Sequence, residues 1–237
     1  MSFSKNTGWL SFTVSFLAVS GALLLSACAT PTKLAFADDP KSPPKTDAQI
    51  FLMTANFKNI YRTSHQLNLL VVNVEKPDAK EKKDRINFTI DKSAKVESET
   101  AEAGNSYYLS MKLPRGNYII EGLTCLNRSF PTQTIFFAPL HVELSVAGPG
   151  VFYVGHVDAT LRERKNNEFK AGPSLPLLDQ AVGGASGGTF DIEISDQWDK
   201  DQETFLARFP ALTNIAVTKA ILPPFDRAKA QDWWEKH

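Results

Sequence analysis

The chain of 237 residues has four histidines and two cysteines, and these with its runs of carboxylates are the side chains able to carry chemistry. His156 and Asp158 stand two apart, so a strand would turn both to one face. With His141 they form a set from which a metal-dependent hydrolase could be assembled. Zinc asks for three or four ligands, however, and neither an H-x-x-x-H motif nor clustered thiolates accompany the set. A surface or hydrogen-bonded histidine is the plainer reading. Asp196, Asp199, Asp201 and Glu203 offer carboxylates to calcium, but the spacing and bend glycine of an EF-hand loop are missing. They read better as the acidic first turn of a helix. Gly183-Gly184-Ala185-Ser186-Gly187-Gly188 suggests a phosphate cradle, yet it precedes a strand and carries no lysine, so a flexible loop is expected. Gly184-Ala185-Ser186-Gly187-Gly188 has the spacing of G-x-S-x-G, but it precedes a strand and lacks the strand-to-helix context of a nucleophile elbow. Cys125 sits among leucines as a small buried hydrophobe, with Arg128 alone as a cation nearby. Trp233 and Trp234 are weak candidates for partner or membrane contact, and packing is the simpler reading. The expectation is a non-enzymatic protein without a cofactor.

The elements that would position these residues are mostly strands. LLVVNV at 69–74 is an apolar run suited to a central strand. In RINFTID, Ile86, Phe88 and Ile90 alternate with Arg85, Asn87, Thr89 and Asp91. YYLSMKL sets Tyr107, Leu109, Met111 and Leu113 on one face. In GNYIIEGLTCL, Tyr118 and Ile120 fall on one face and Ile119, Leu123 and Cys125 on the other. HVELSV places Val142, Leu144 and Val146 inward. VFYVGHVDATL places Val151, Tyr153, Val157, Ala159 and Leu161 on one face, and TFDIEIS does so for Phe190, Ile192 and Ile194. Such alternation predicts half-buried strands, and seven or eight of them predict an antiparallel sandwich or barrel. QIFLMTANFKNI at 49–60 suits a helix or a strand equally. Residues 162–188 read as a long loop, either mobile or a surface excursion. QWDKDQETFLARF predicts a helix burying Trp198, Phe205, Leu206 and Phe209, capped by Asp196 or Asp199 and ended by Pro210. NIAVTKAIL at 214–222 reads as a last strand, and the tail as a short helix from Asp226.

The N-terminus gives an address. Residues 1–27 contain one charged side chain, Lys5, and none follows between Trp9 and Ala27. Hydroxyl residues and glycine interrupt the run, and it ends in small residues, as a secretory signal does. Leu25-Ser26-Ala27-Cys28 resembles the lipobox of bacterial lipoproteins. That resemblance implies cleavage before Cys28 and its acylation; with Ala29 next, it implies the outer membrane, facing the periplasm. Two or more acyl chains hold a protein firmly to a bilayer where one holds marginally. The other readings are a cut before Asp38, after Ala35-Phe36-Ala37, and an uncleaved anchor. Residues 28–48, rich in Pro, Lys, Asp and Thr, read as a flexible tether between the lipid and a single domain over 49–237.

Composition narrows the function further. The leader holds one of 26 basic residues against 26 acidic ones, so the remainder is nearly neutral and no nucleic-acid partner is expected. A hydrophobic share of 43% suits a packed core. With Cys28 acylated, Cys125 has no intramolecular partner, and stability must come from packing.

LPRGNYIIEGL at 113–123 resembles a turn and core strand of the transthyretin-like, carboxypeptidase-regulatory-like sandwiches found in exported bacterial lipoproteins. GVFYVG at 150–155, and Asp199-x-Asp201 through FPAL at 209–212, are similar to further features of those proteins. The resemblance spans roughly residues 65 to 222. It implies a mainly β, transthyretin/Ig-like antiparallel sandwich with one or two short C-terminal helices, and no catalytic residues. The functional expectation is a lipid-anchored module that binds or scaffolds an envelope protein partner. The alternatives are the metal-dependent hydrolase above and a lipoprotein subunit of a secretion or envelope assembly.

Overall fold

A computed structural model of the chain describes residues 29–43, 47–96, 103–172 and 178–236. In chain order the strands are β1 (Thr30–Lys33), β2 (Gln49–Asn59), β3 (Asn68–Glu75), β4 (Arg85–Thr89), β5 (Lys95–Val96), β6 (Asn105–Leu113), β7 (Tyr118–Ser129), β8 (Thr132–Leu144), β9 (Gly150–Glu163), β10 (Gly188–Ser195) and β11 (Val217–Lys219). The helices are α1 (Leu178–Val182), α2 (Trp198–Arg208) and α3 (Arg227–Lys236), with 3-10 turns at Lys82–Asp84 and Pro210–Leu212. One sheet runs β1-β4-β3-β7-β8 and the other β10-β9-β2-β6-β5, with β11 also on β9. Their facing sides enclose one apolar core around Phe51, Phe57, Val72, Phe88, Leu109, Leu123, Phe136 and Leu161.

The mainly β fold agrees with the alternation; the strictly antiparallel arrangement does not hold. β2 pairs with β9, β1 with β4, and β11 with β9, all in parallel. The β2–β9 pair lies inside its sheet, where helices cover the second face. This explains why QIFLMTANFKN shows no period of two: its residues are buried on both sides. Phe51, Met53, Ala55 and Phe57 enter the sandwich core, while Ile50 and Leu52 join Val151, Tyr153, Phe205 and Phe209 in a second core under α2.

Bulges correct two of the faces expected from sequence. In β9 the register steps from Leu52↔Tyr153 to Met53↔Gly155, leaving Val154 as the extra residue. Val151 and Tyr153 therefore face α2, whereas Val157, Ala159 and Leu161 face the sandwich. In β7 a bulge at Glu121 brings Leu123 and Cys125 to the same core as Tyr118 and Ile120. The last strand is shorter than 214–222: only Val217–Lys219 forms β11. Gln197, not Asp196 or Asp199, stands at the N-cap of α2, and Asp196 instead accepts the Trp198 N–H at 3.1 Å.

The tether expected over 28–48 is also corrected in its described part. β1 adds to the edge of the first sheet, from Thr30↔Ile86 to Lys33↔Thr89. Leu34 and Phe36 are 4% and 2% exposed, and the Phe36 ring lies 5.1 Å from that of Phe209. The Ala211 N–H donates to the Pro40 carbonyl at 3.0 Å. A few apolar residues within a polar stretch suffice to dock it, and the folded unit therefore includes residues 30–40 as well as those from 49. The stretch 162–188, read as a loop, is in its described parts neither structureless nor merely superficial: β9 runs to Glu163, α1 spans Leu178–Val182 and β10 begins at Gly188. Phe169, Ala171 and Ala185 are buried, and the Phe137 N–H donates to the Ala171 carbonyl at 2.8 Å.

Candidate functional site

The outer face of the first sheet carries a groove of about 400 Å³, lined by Ala29, Asn73, Val74, Glu75, Arg85, Asn87, Glu121, Thr124, Phe137 and Trp233. Alternation sets its floor. Val72, Val74 and Phe88 point into the core, so Asn73, Glu75, Arg85 and Asn87 point out. Register places Asn73 opposite Asn87 and Glu75 opposite Arg85. The Asn73 amide donates to Asn87 Oδ1 at 3.1 Å, Thr124 Oγ1 donates to Asn73 Oδ1 at 2.7 Å, and Arg85 Nε donates to Glu75 Oε2 at 3.2 Å.

One wall comes from facing bulges in β7 and β8. The pairing passes from Ile120↔Val142 to Gly122↔Pro139, so Glu121 is extra on one strand and Leu140 and His141 on the other. His141 takes a left-handed backbone, φ 49°, and its Nδ1 lies 2.7 Å from Glu121 Oε2. Trp233 of α3 covers this pair, its ring 4.8 Å from the imidazole and 5.7 Å from the Phe137 ring. Lys229, also on α3, donates to the His141 carbonyl at 2.7 Å. Gly122 has a specific role: a Cβ there would lie 2.5 Å from the Phe137 ring and 2.6 Å from the Ala138 carbonyl oxygen. Only glycine lets Phe137 lie over β7. Glu75 is held above the usual carboxylate range, by burial first and by the charge of Glu121 second, with Arg85 opposing.

A second polar cluster lies beneath α2. Asp201 is fully buried; Tyr153 Oη donates to its Oδ2 at 2.7 Å and His156 Nδ1 lies 3.0 Å from the same oxygen. His156 Nε2 is 3.5 Å from Asp158 Oδ1, which accepts from Asn56 Nδ2 at 3.0 Å. Burial works against the charged imidazole, but the hydrogen bonds and charges of Asp158 and Asp201 outweigh it and raise His156 to about 9. For Asp201 burial likewise favours the neutral acid, and the bonds from His156 and Tyr153 prevail and lower it. Both groups are charged at neutral pH and satisfied by each other, which makes the cluster a clamp holding α2 on β9.

The residues singled out from sequence are distributed as follows. His156 and Asp158 do share a face. His141 belongs to the other sheet, so the three do not assemble. Among the described residues, no group of three His, Cys, Asp or Glu side chains is placed to hold a metal. The calcium set disperses too: Asp201 turns inward to His156, and Asp196 pairs with Lys219 at 2.9 Å. The glycines at 183–188 give close packing, with Gly183 against Thr134 and Gly184 at φ +94° against Tyr61. Cys125 is fully buried, and burial pushes its thiol well up. The two tryptophans part company: Trp234 packs against the sandwich core while Trp233 lines the groove. Cys28 lies outside the described residues. Sequence reasoning missed Glu75, Arg85, Asn87, Glu121 and Thr124 as a set. Their signal was present in the outward positions of 73–75 and 85–87, but only sheet order brings them together. No protein-family model matches the chain, and neither a curated protein nor a solved structure does.

Proposed function

We propose that the protein is a lipoprotein anchored through Cys28 in the outer membrane, facing the periplasm. Its β-sandwich acts by binding rather than by catalysis, as a module of the cell envelope. The groove on the outer face of the first sheet is the place where it engages its target.

The observation that carries this reading is the integration of residues 30–36 into the domain. A cut before Asp38 would remove β1 and the buried side chains of Leu34 and Phe36. A cut before Cys28 keeps every described residue and puts a modifiable cysteine two residues before β1. Ala29 lines the groove, so an acyl anchor on Cys28 would tether the domain close to the bilayer, with the groove near its surface. The groove has the marks of a recognition site: concave, with convergent polar groups, an aromatic wall and a carboxyl of shifted pKa.

Intact-mass spectrometry of the membrane-extracted protein, beside a Cys28→Ala variant, tests the anchor. The expected wild-type product begins at Cys28 and carries acyl mass, and the variant does not. An N-terminus at Asp38 without lipid overturns the reading.

A further inference from the structure

We infer that the groove binds a neutral saccharide, its ring stacked on the aromatic wall of Trp233 and Phe137 and its hydroxyls on Asn87, Thr124 and the Glu75–Arg85 pair. This rests on the reading of the domain as a binding module and specifies what it binds.

Charge excludes the simpler ligands first. Arg85 is the one cationic side chain among the lining residues, and it is already engaged by Glu75, so the groove offers no spare positive charge to an anion. A cation would find Glu75 already paired with Arg85 at 3.2 Å. Glu121 is committed to His141 at 2.7 Å, so it is not a spare counter-charge. What remains is a floor where donors and acceptors intermingle at nearly balanced charge. A hydroxyl both donates and accepts, so a polyol satisfies such a floor where a simple ion does not. Asn73 takes the oxygen of the Asn87 carboxamide, and among the described residues no protein group takes its NH2. That donor sits on the groove floor facing incoming hydroxyls.

The aromatic wall supplies the second requirement. One face of a pyranose presents C–H groups, apolar and slightly positive, which suit the negative face of an aromatic ring. The Phe137 and Trp233 rings, 5.7 Å apart and tilted by 36°, both line the groove. A volume of about 400 Å³ is ample for one or two sugar rings and lies at the small end of ligand sites.

The test uses the mature lipidated protein in detergent micelles, titrated separately with cellotriose, maltotriose and tri-N-acetylchitotriose and followed by amide and indole NMR signals. At least one trisaccharide should shift the Trp233 indole and the β3, β4 and β7 amides saturably. Asn87→Ala and Thr124→Val, which leave the core untouched, should each weaken that binding by about tenfold, the loss of one or two hydrogen bonds. Sepharose-bound glycan strands, if they retain the protein while the free trisaccharides shift nothing, would show a polymer-bound source of the same chemistry. Absence of both responses overturns the inference, as do shifts unchanged by both variants. If saccharides fail while Cys28 carries its acyl mass, only the ligand class falls. If trisaccharides bind a chain that begins at Asp38, only the anchoring falls.

Discussion

Replacing Asp201 by Asn should remove most of the pH dependence of folding stability on the alkaline side of neutrality. His156 is 6% exposed, with Asp201 3.0 Å from Nδ1 and Asp158 3.5 Å from Nε2. Its pKa rises from an ordinary 6.5 to about 9 in the folded protein, because its two carboxylate partners outweigh the cost of burial. A raised histidine pKa means the folded state binds the proton more tightly than the unfolded chain. The resulting stability is fully present below pH 6.5 and is lost as pH climbs through 9. At about 1.4 kcal/mol per unit, the loss is about 3 kcal/mol. Asp201 and Asp158 are both lowered, so their contribution has the opposite sense: present above the ordinary carboxylate range, lost as acid protonates them. The cluster therefore stabilises most between the carboxylate range and pH 6.5. Urea unfolding of a Cys28→Ala form, read by tryptophan fluorescence at about pH 6 and about pH 9.5, measures this directly. Wild type should lose about 3 kcal/mol between the two. Asp201→Asn should cost about 3–5 kcal/mol at the lower pH, because it strands a buried imidazolium, and should flatten the difference to under about 1. A wild-type stability unchanged between those pH values, or a variant with the wild-type slope, would refute the clamp.

Three further outcomes follow from the same geometry. Phe36→Ala should lower stability by about 3–5 kcal/mol, seen as an earlier urea midpoint; a loss under about 1 would mean that the N-terminal segment is not docked in solution. Gly122→Ala should cost about 1–3 kcal/mol, because the new Cβ displaces Phe137, and should change the fluorescence of Trp233 beside it; a silent substitution counts against the close approach over β7. In a Cys28→Ala form, Cys125 should resist aromatic disulfide reagents until the domain unfolds, its thiol being buried and its pKa raised; fast native-state labelling would contradict the core assignment.

Much of the strand content could be read directly, because a half-buried strand writes its environment into every second residue. RINFTID and TFDIEIS behave as their alternation indicates, and the amphipathic stretch from Trp198 to Phe209 is the expected helix. The reading failed where a residue has two apolar neighbourhoods or where a bulge changes phase. QIFLMTANFKN is buried on both faces and carries no period. Val154 and Glu121 each shift a strand by one residue, and no local pattern marks them. The docking of β1 was missed because Leu34 and Phe36 are two apolar residues in a stretch whose composition otherwise suits an extended linker.

The sequence by itself determined the β-rich class and the positions of α2 and α3, since these depend on local period and short motifs, whereas α1 lies in a stretch that reads as a loop. Only the tertiary structure decided which polar residues meet. His141 and His156 are 15 positions apart but lie on different sheets, so no metal set forms. Asn73, Asn87, Thr124 and Trp233 span most of the chain and share one groove, because sheet order sets β3 between β4 and β7 and α3 returns to β8. Those neighbours are fixed by pairing between distant strands, a contact whose partner is not encoded at either strand alone.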